Sequence, residues 1–127
     1  MPRARARSLT GLAAALASGA ISLHPGADRE AETARLRTLP GIGPWTASYI
    51  AMRALADPDA FLPADVGVLR GLRLLGADVS LSRDPAGVVA LAGNWRPWRS
   101  YAVHHLWALL EQLTSPAPRP SQGVATK

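Results

Sequence analysis

Pro40, Gly41, Gly43 and Pro44 all break helices, and all lie within the stretch LPGIGPW from Leu39 to Trp45. Apolar patterns suited to helices flank this stretch on both sides. A chain built this way must stop one helix, turn within a few residues and start another. Glycines at 41 and 43 permit positive φ and leave no side chain over the backbone. Pro44 suits the first turn of the new helix, where its missing N–H costs least. The expectation is a tight hairpin opening onto a helix N-terminus. Exposed amides and the positive end of the helix dipole then suit an anion such as a DNA phosphate. A plain helix–turn–helix connection would use the same residues, so the string alone leaves both readings open.

Periodicity predicts helices over roughly 3–18, 28–38, 45–56, 65–76, 84–93 and 97–113 in this 127-residue chain. That length suits one domain. No convincing alternating strand appears, so the fold class is all-α. Asp28 can cap the second helix, and Asp84-Pro85 is a good start for the fifth. VGVLRGLRLL reads as helix, with Val68, Leu69, Leu72 and Leu75 on one face. The helix from Trp45 is apolar almost all round and should be buried. Trp45 and Tyr49 share a face of it; taken alone, two such rings fill a core more readily than they line a pocket. TSPAPRPSQGVATK, from Thr114 onward, is expected to be a disordered tail.

Apolar residues make up 48% of the chain, enough for a core. The absence of cysteine excludes disulfides, thiolate zinc sites and cysteine-ligated iron–sulfur clusters. A net charge of +5 and a pI of about 11 favour anionic partners. An arginine-rich composition bias would give the same balance. Arg3, Arg5 and Arg7 precede LTGLAAALASGAI, which looks like a signal or transit peptide. This apolar run is mostly alanine, is broken by Gly11, Ser18 and Gly19, and is too short to span a bilayer. An amphipathic domain helix using Leu9, Leu12, Ala13 and Leu16 explains it and is the preferred reading.

In FLPADVGVLR, Asp65 stands just before an apolar helix. Aspartate there is a common N-cap. A hairpin, an aromatic helix and then an aspartate after a short loop form a more specific constellation. LPGIGPWTASYIAMRAL, FLPADVGVLR and NWRPWRSYAVHHLW together resemble the helix-hairpin-helix DNA glycosylases with a Gly/Pro-rich loop and a catalytic aspartate. Within that family the resemblance is to the DNA-3-methyladenine glycosylase II branch. It runs from Leu36 to Leu110, and ARARSLTGLAAALASGAISLHPGAD fits the preceding segment more loosely.

The resemblance implies a helical glycosylase domain over residues 1–113, with its hairpin near 39–45, that matches the C-terminal part of the family's catalytic unit. It implies a full-length parent with a further N-terminal part, whose helices complete the domain and wedge a residue into the DNA gap. The implied reaction is removal of alkylated, 3-methyladenine-type bases from duplex DNA. The implied roles are catalysis for Asp65, base binding for Trp45, Tyr49 and Trp107, and DNA-backbone binding for Gly41, Ile42, Gly43 and Thr46. Main-chain carbonyls of Arg37, Leu39 and Ile42 would hold a monovalent cation, sodium or potassium, and no other cofactor is needed. A cytoplasmic monomer is expected, nucleoid-associated in a bacterium.

Backbone-cutting relatives use a lysine to form a Schiff base. Trp45 stands in that lysine's place, and the only lysine in the chain is Lys127, its last residue. The expectation is therefore a monofunctional glycosylase. The competing class is an inactive helix-hairpin-helix module that binds DNA nonspecifically. His104 and His105 read as packing or surface residues. Trp95, Arg96, Trp98 and Arg99 form an aromatic–basic group suited either to DNA contact or to helix-entry packing.

Overall fold

The computed structural model describes residues 2–78 and 84–116. Its helices are α1 (Arg3–Ala17), α2 (Arg29–Thr38), α3 (Pro44–Ala54), α4 (Val66–Leu74), α5 (Pro85–Ala92) and α6 (Arg99–Thr114). A 3-10 turn, Gly93–Trp95, follows α5. No strand occurs among the described residues. Three helices start on an aspartate whose carboxylate takes up an orphan amide. Asp28 accepts from Ala31 N–H at 3.1 Å, Asp65 from Val68 N–H at 2.8 Å and Asp84 from Ala86 N–H at 3.0 Å. Each such cap contributes about 1 kcal/mol. At the other end of the chain, α6 takes in Thr114, whose hydroxyl donates to the Leu110 carbonyl at 2.7 Å. The expected tail therefore starts at least one residue later. Its residues 117–127 lie outside the described ones.

Two apolar clusters hold the helices together. The larger joins Ala51 and Met52 of α3, Phe61 and Leu62 of the following loop, Val68 and Leu72 of α4, Val88 of α5, and Val103 and Leu106 of α6. The smaller joins Ala15, Ile21, Leu36, Ile42 and Ala47. Helix α3 feeds both, which is why its sequence is apolar almost all round. Of its two aromatics, Trp45 is 41% exposed, while Tyr49 is half-buried and packs against the larger cluster.

Two apolar faces differ from those the periodicity suggests. In α1 the packed residues are Ala15 and, partly, Leu12, while Leu9, Ala13 and Leu16 are exposed. Ser8, not the leucine stripe, sits against the hairpin at Gly41. In α4, Val68 and Leu72 are buried and Leu69 is partly so, but Leu75 is exposed. The helix has ended at Leu74, and Gly76, at φ +83°, reverses the chain just beyond it.

A polar clamp fixes the start of α6. Arg99 Nε and Nη2 donate to the two Asp59 carboxylate oxygens at 2.7 and 3.0 Å. Ser100 Oγ donates to the Ala60 carbonyl at 3.0 Å, and its amide donates to Pro58 at 2.9 Å. Arg99 is thereby committed to packing, and Trp95 packs edge-on against Phe61. The aromatic–basic group is split, leaving Trp98 and Arg96 at the surface.

Candidate active site

The hairpin between α2 and α3 is closed by Ile42 N–H donating to the Leu39 carbonyl at 3.1 Å. Gly41 has φ +81°, and a Cβ there would run into Ser8 Oγ. Glycine is required at 41 on both counts. Gly43 is different: φ is −85° and ψ −178°, extended backbone open to any residue, and a Cβ there meets nothing within 4 Å. The expectation that both glycines supply positive φ is corrected to Gly41 alone. Gly43 is the N-cap of α3 and offers no side chain to its first amides, and Pro44 follows at the first helical position. The N–H groups of Trp45 and Thr46 thus stay open beside the hairpin.

Asp65 is the point on which the aromatic residues converge. Its Oδ1 accepts from Val68 N–H at 2.8 Å and from Trp107 Nε1–H at 2.9 Å. Its Oδ2 accepts from Trp45 Nε1–H at 2.9 Å. Helices α3, α4 and α6 thus each send one donor to a single carboxylate. Trp45 and Tyr49 stack on each other, with centroids 5.1 Å apart and planes 9° apart. A third ring between them would need roughly 7 Å, twice the carbon–carbon contact distance. The free face of this stack is that of Trp45, since Arg53 lies over Tyr49. Trp107 stands tilted to Tyr49, centroids 6.3 Å apart, and His104 meets its edge. Arg53 lies over Tyr49, 5.7 Å from the ring centre.

Comparison with known proteins finds similar sequences within longer chains. The probable bifunctional transcriptional activator/DNA repair enzyme AlkA of Mycobacterium tuberculosis is 42% identical over 125 residues, 98% of this chain but 24% of that protein. DNA-3-methyladenine glycosylase 2 of Escherichia coli is 39% identical over 107 residues, 84% of this chain and 35% of that protein. DNA-3-methyladenine glycosylase of Bacillus subtilis is 34% identical over 109 residues, 80% and 34% of the two chains. This chain is a homologue of the C-terminal part of the DNA-3-methyladenine glycosylases. It spans about a quarter to a third of the length of these relatives. No family model matches it.

In this glycosylase homologue the Asp65 carboxylate is set up as an anion. Burial by itself pushes its pKa up. The Trp107 indole, the Val68 amide, the Trp45 indole and the Gly67 amide together outweigh that, and it lies below the ordinary carboxylate value. Asp59 is also held low, first by the hydrogen bond from the Arg99 side chain. A carboxyl lowered in the folded state stabilises fully above its unfolded value, about 4, and that stability is lost as pH falls through the folded value. Thermal midpoints measured by circular dichroism should therefore fall below about pH 4. Asp59→Asn should be less stable at pH 7 and should show a shallower fall in acid. An acid limb as steep as that of the unaltered chain would remove Asp59 from this role.

A cavity of about 370 Å³ opens beside Trp45 and is lined also by Ser48, Asp57, Phe61 and Pro63. It shares Trp45 with the site but not Asp65, Tyr49 or Trp107. The three rings and the carboxylate meet outside this cavity. His104 and His105 are exposed, and no metal-binding group of His, Asp or Glu side chains occurs among the described residues. No described helix is long and apolar enough to cross a membrane. Sequence reasoning named Asp65, Trp45, Tyr49 and Trp107, which the structure brings together, without foreseeing that both indoles donate to the carboxylate. It missed Asp59 and Ser8, whose partners lie 40 and 33 positions away in the chain.

Proposed function

We propose that this chain carries the reaction centre of a monofunctional DNA N-glycosylase that excises alkylated bases. The observation that carries the reading is the Asp65 carboxylate tied between the indoles of Trp45 and Trp107. Its relatives' names, DNA-3-methyladenine glycosylase among them, support the substrate class. The target base must leave the stack to be reached. An N-alkylated purine is often cationic, and aromatic faces attract such a ring by about 0.5–2 kcal/mol per contact. The outer face of Trp45 and the ring of Trp107 supply those contacts, with Tyr49 backing Trp45 in the stack and itself covered by Arg53. As the base departs with the bonding electron pair, positive charge grows on the sugar, and ionised Asp65 stabilises it electrostatically. A carboxylate held by several donors is a weak base, so electrostatic stabilisation is favoured over water activation.

The duplex is held through its backbone by the open amides at the start of α3, with Gly41, Ile42, Gly43 and Thr46 at the phosphate. A monovalent cation would sit on the carbonyls of Arg37, Leu39 and Ile42. Those of Arg37 and Ile42 accept no hydrogen bond in the hairpin, and that of Leu39 accepts one. Such oxygen donors fit a hard cation, which would stiffen the hairpin and favour the phosphate.

The test is a duplex with one alkylated purine, incubated with protein carrying residues 1–127. The product should be an intact abasic strand that breaks only on treatment with alkali. Borohydride should trap no adduct on this segment, which has no internal lysine. A break without alkali, or a trapped adduct mapping here, would refute the monofunctional reading. Salt-sensitive DNA binding with no abasic product would favour a binding module.

A further inference from the structure

We propose that Gly67 is a positioning residue for the Asp65 carboxylate: having no side chain, it leaves the space in which the Trp107 indole N–H meets it. This rests on the reading of Asp65 as the reacting-centre carboxylate. Gly67 lies in the first turn of α4, and it is not among the glycines with positive φ. Its backbone can be adopted by any residue, and alanine is the better helix former by about 1 kcal/mol. Conformation therefore does not explain a glycine here.

Space does. A Cβ on residue 67 would lie 2.9 Å from Trp107 Cδ1, 3.0 Å from Trp107 Nε1 and 3.0 Å from Asp65 Oδ1. Two of these atoms are the donor and acceptor of the 2.9 Å hydrogen bond, and the third is the ring carbon beside the donor. A methyl group would wedge into that bond. Helix α6 cannot easily retreat, because Arg99 and Ser100 clamp its start and Val103 and Leu106 are buried in the core. The indole has to yield instead. One turn further on, Gly71 makes a similar allowance for Leu106: a Cβ there would lie 3.0 Å from Leu106 Cβ and 3.3 Å from its carbonyl oxygen. Gly71 thus provides a control that disturbs the same helix pair without touching the carboxylate.

The experiment titrates the Asp65 side-chain carboxyl by carbon-13 NMR in the full chain and follows the Trp107 indole N–H resonance. Excision is measured in parallel. Gly67→Ala should keep its thermal midpoint, raise the Asp65 pKa and shift the Trp107 indole signal. It should lower kcat roughly 10- to 100-fold with KM little changed, the effect of losing one hydrogen bond to a charged group. Trp107→Phe should raise the Asp65 pKa to a similar extent. Adding Gly67→Ala to Trp107→Phe should move it little further, because both act on one contact. Gly71→Ala should leave the titration in place even if it destabilises the chain. An unmoved Asp65 titration in Gly67→Ala, or full additivity with Trp107→Phe, overturns the proposal. If Gly67→Ala does not fold, an unmoved titration in Trp107→Phe overturns it equally. Full excision by Asp65→Asn would instead sink the catalytic reading, and the titrations would still report on the Gly67–Trp107 contact.

Discussion

Asp65→Asn is expected to keep the fold and to lower base excision by about 10²–10³-fold or more. Asparagine caps a helix nearly as well as aspartate. Its side-chain oxygen can still accept from the Val68 amide and the Trp107 indole, as Oδ1 does now. Its amide nitrogen would then face the Trp45 indole N–H, donor against donor, where Oδ2 accepts at 2.9 Å. The thermal midpoint should fall modestly, since the Trp45 bond and the favoured charge are lost, while the chain stays folded. What disappears is the negative charge, which has no substitute when the sugar becomes cationic. Measured in single turnovers, the loss should appear in the chemical step and leave DNA affinity nearly intact. Near-normal excision with a folded variant would take Asp65 out of the catalytic role and leave it as a cap.

Gly41→Ala should destabilise the chain by about 2–3 kcal/mol, combining left-handed strain with a collision. For a domain of this size that is on the order of 10 °C in thermal midpoint. The strain follows from φ +81°, and the collision from Ser8 Oγ on α1. Ser8→Gly in the same chain should relieve the collision and recover part of the loss, since the dihedral strain remains. DNA binding, measured as affinity against salt concentration, should weaken in Gly41→Ala as the hairpin shifts. Gly43→Ala should cost less, up to about 1 kcal/mol for a poorer N-cap, because its backbone is extended and its Cβ would meet open space. Any affinity lost at 43 then reports how closely the DNA backbone approaches. Equal stability of the variants at 41 and 43 would refute this division of labour.

The six helices were legible because their signals are local. Asp28, Asp65 and Asp84 announce helix starts, and Pro and Gly punctuate the hairpin. The faces were less legible, because periodicity reports which residues are apolar and not what they meet. Leu9, Leu16 and Leu75 fit a helical stripe yet are exposed, while Ala15 carries the contact of α1. In the site, the aspartate and the three rings could be paired from family resemblance. Their hydrogen bonds could not, since indole donors 20 and 42 residues from Asp65 carry no mark of their target. Gly67 reads in sequence as a flaw in a helix. Only the position of Trp107 gives it a reason.

Helix α3 works as a ruler. Open amides lie at its first turn, where the proposed function puts a strand's phosphate, and Trp45 and Tyr49 ride on the same rod. Ala47 anchors the rod in one apolar cluster, and Ala51 and Met52 anchor it in the other. Pro44 and Tyr49 are five residues apart, about 7–8 Å along the axis. A phosphate gripped at the start of the rod therefore has its distance to the aromatic faces set in advance. One residue inserted between Thr46 and Tyr49 would turn the tyrosine by about 100° relative to the amides. Ala51 and Met52 would turn with it, out of the cluster that anchors the rod, so the core itself guards that spacing.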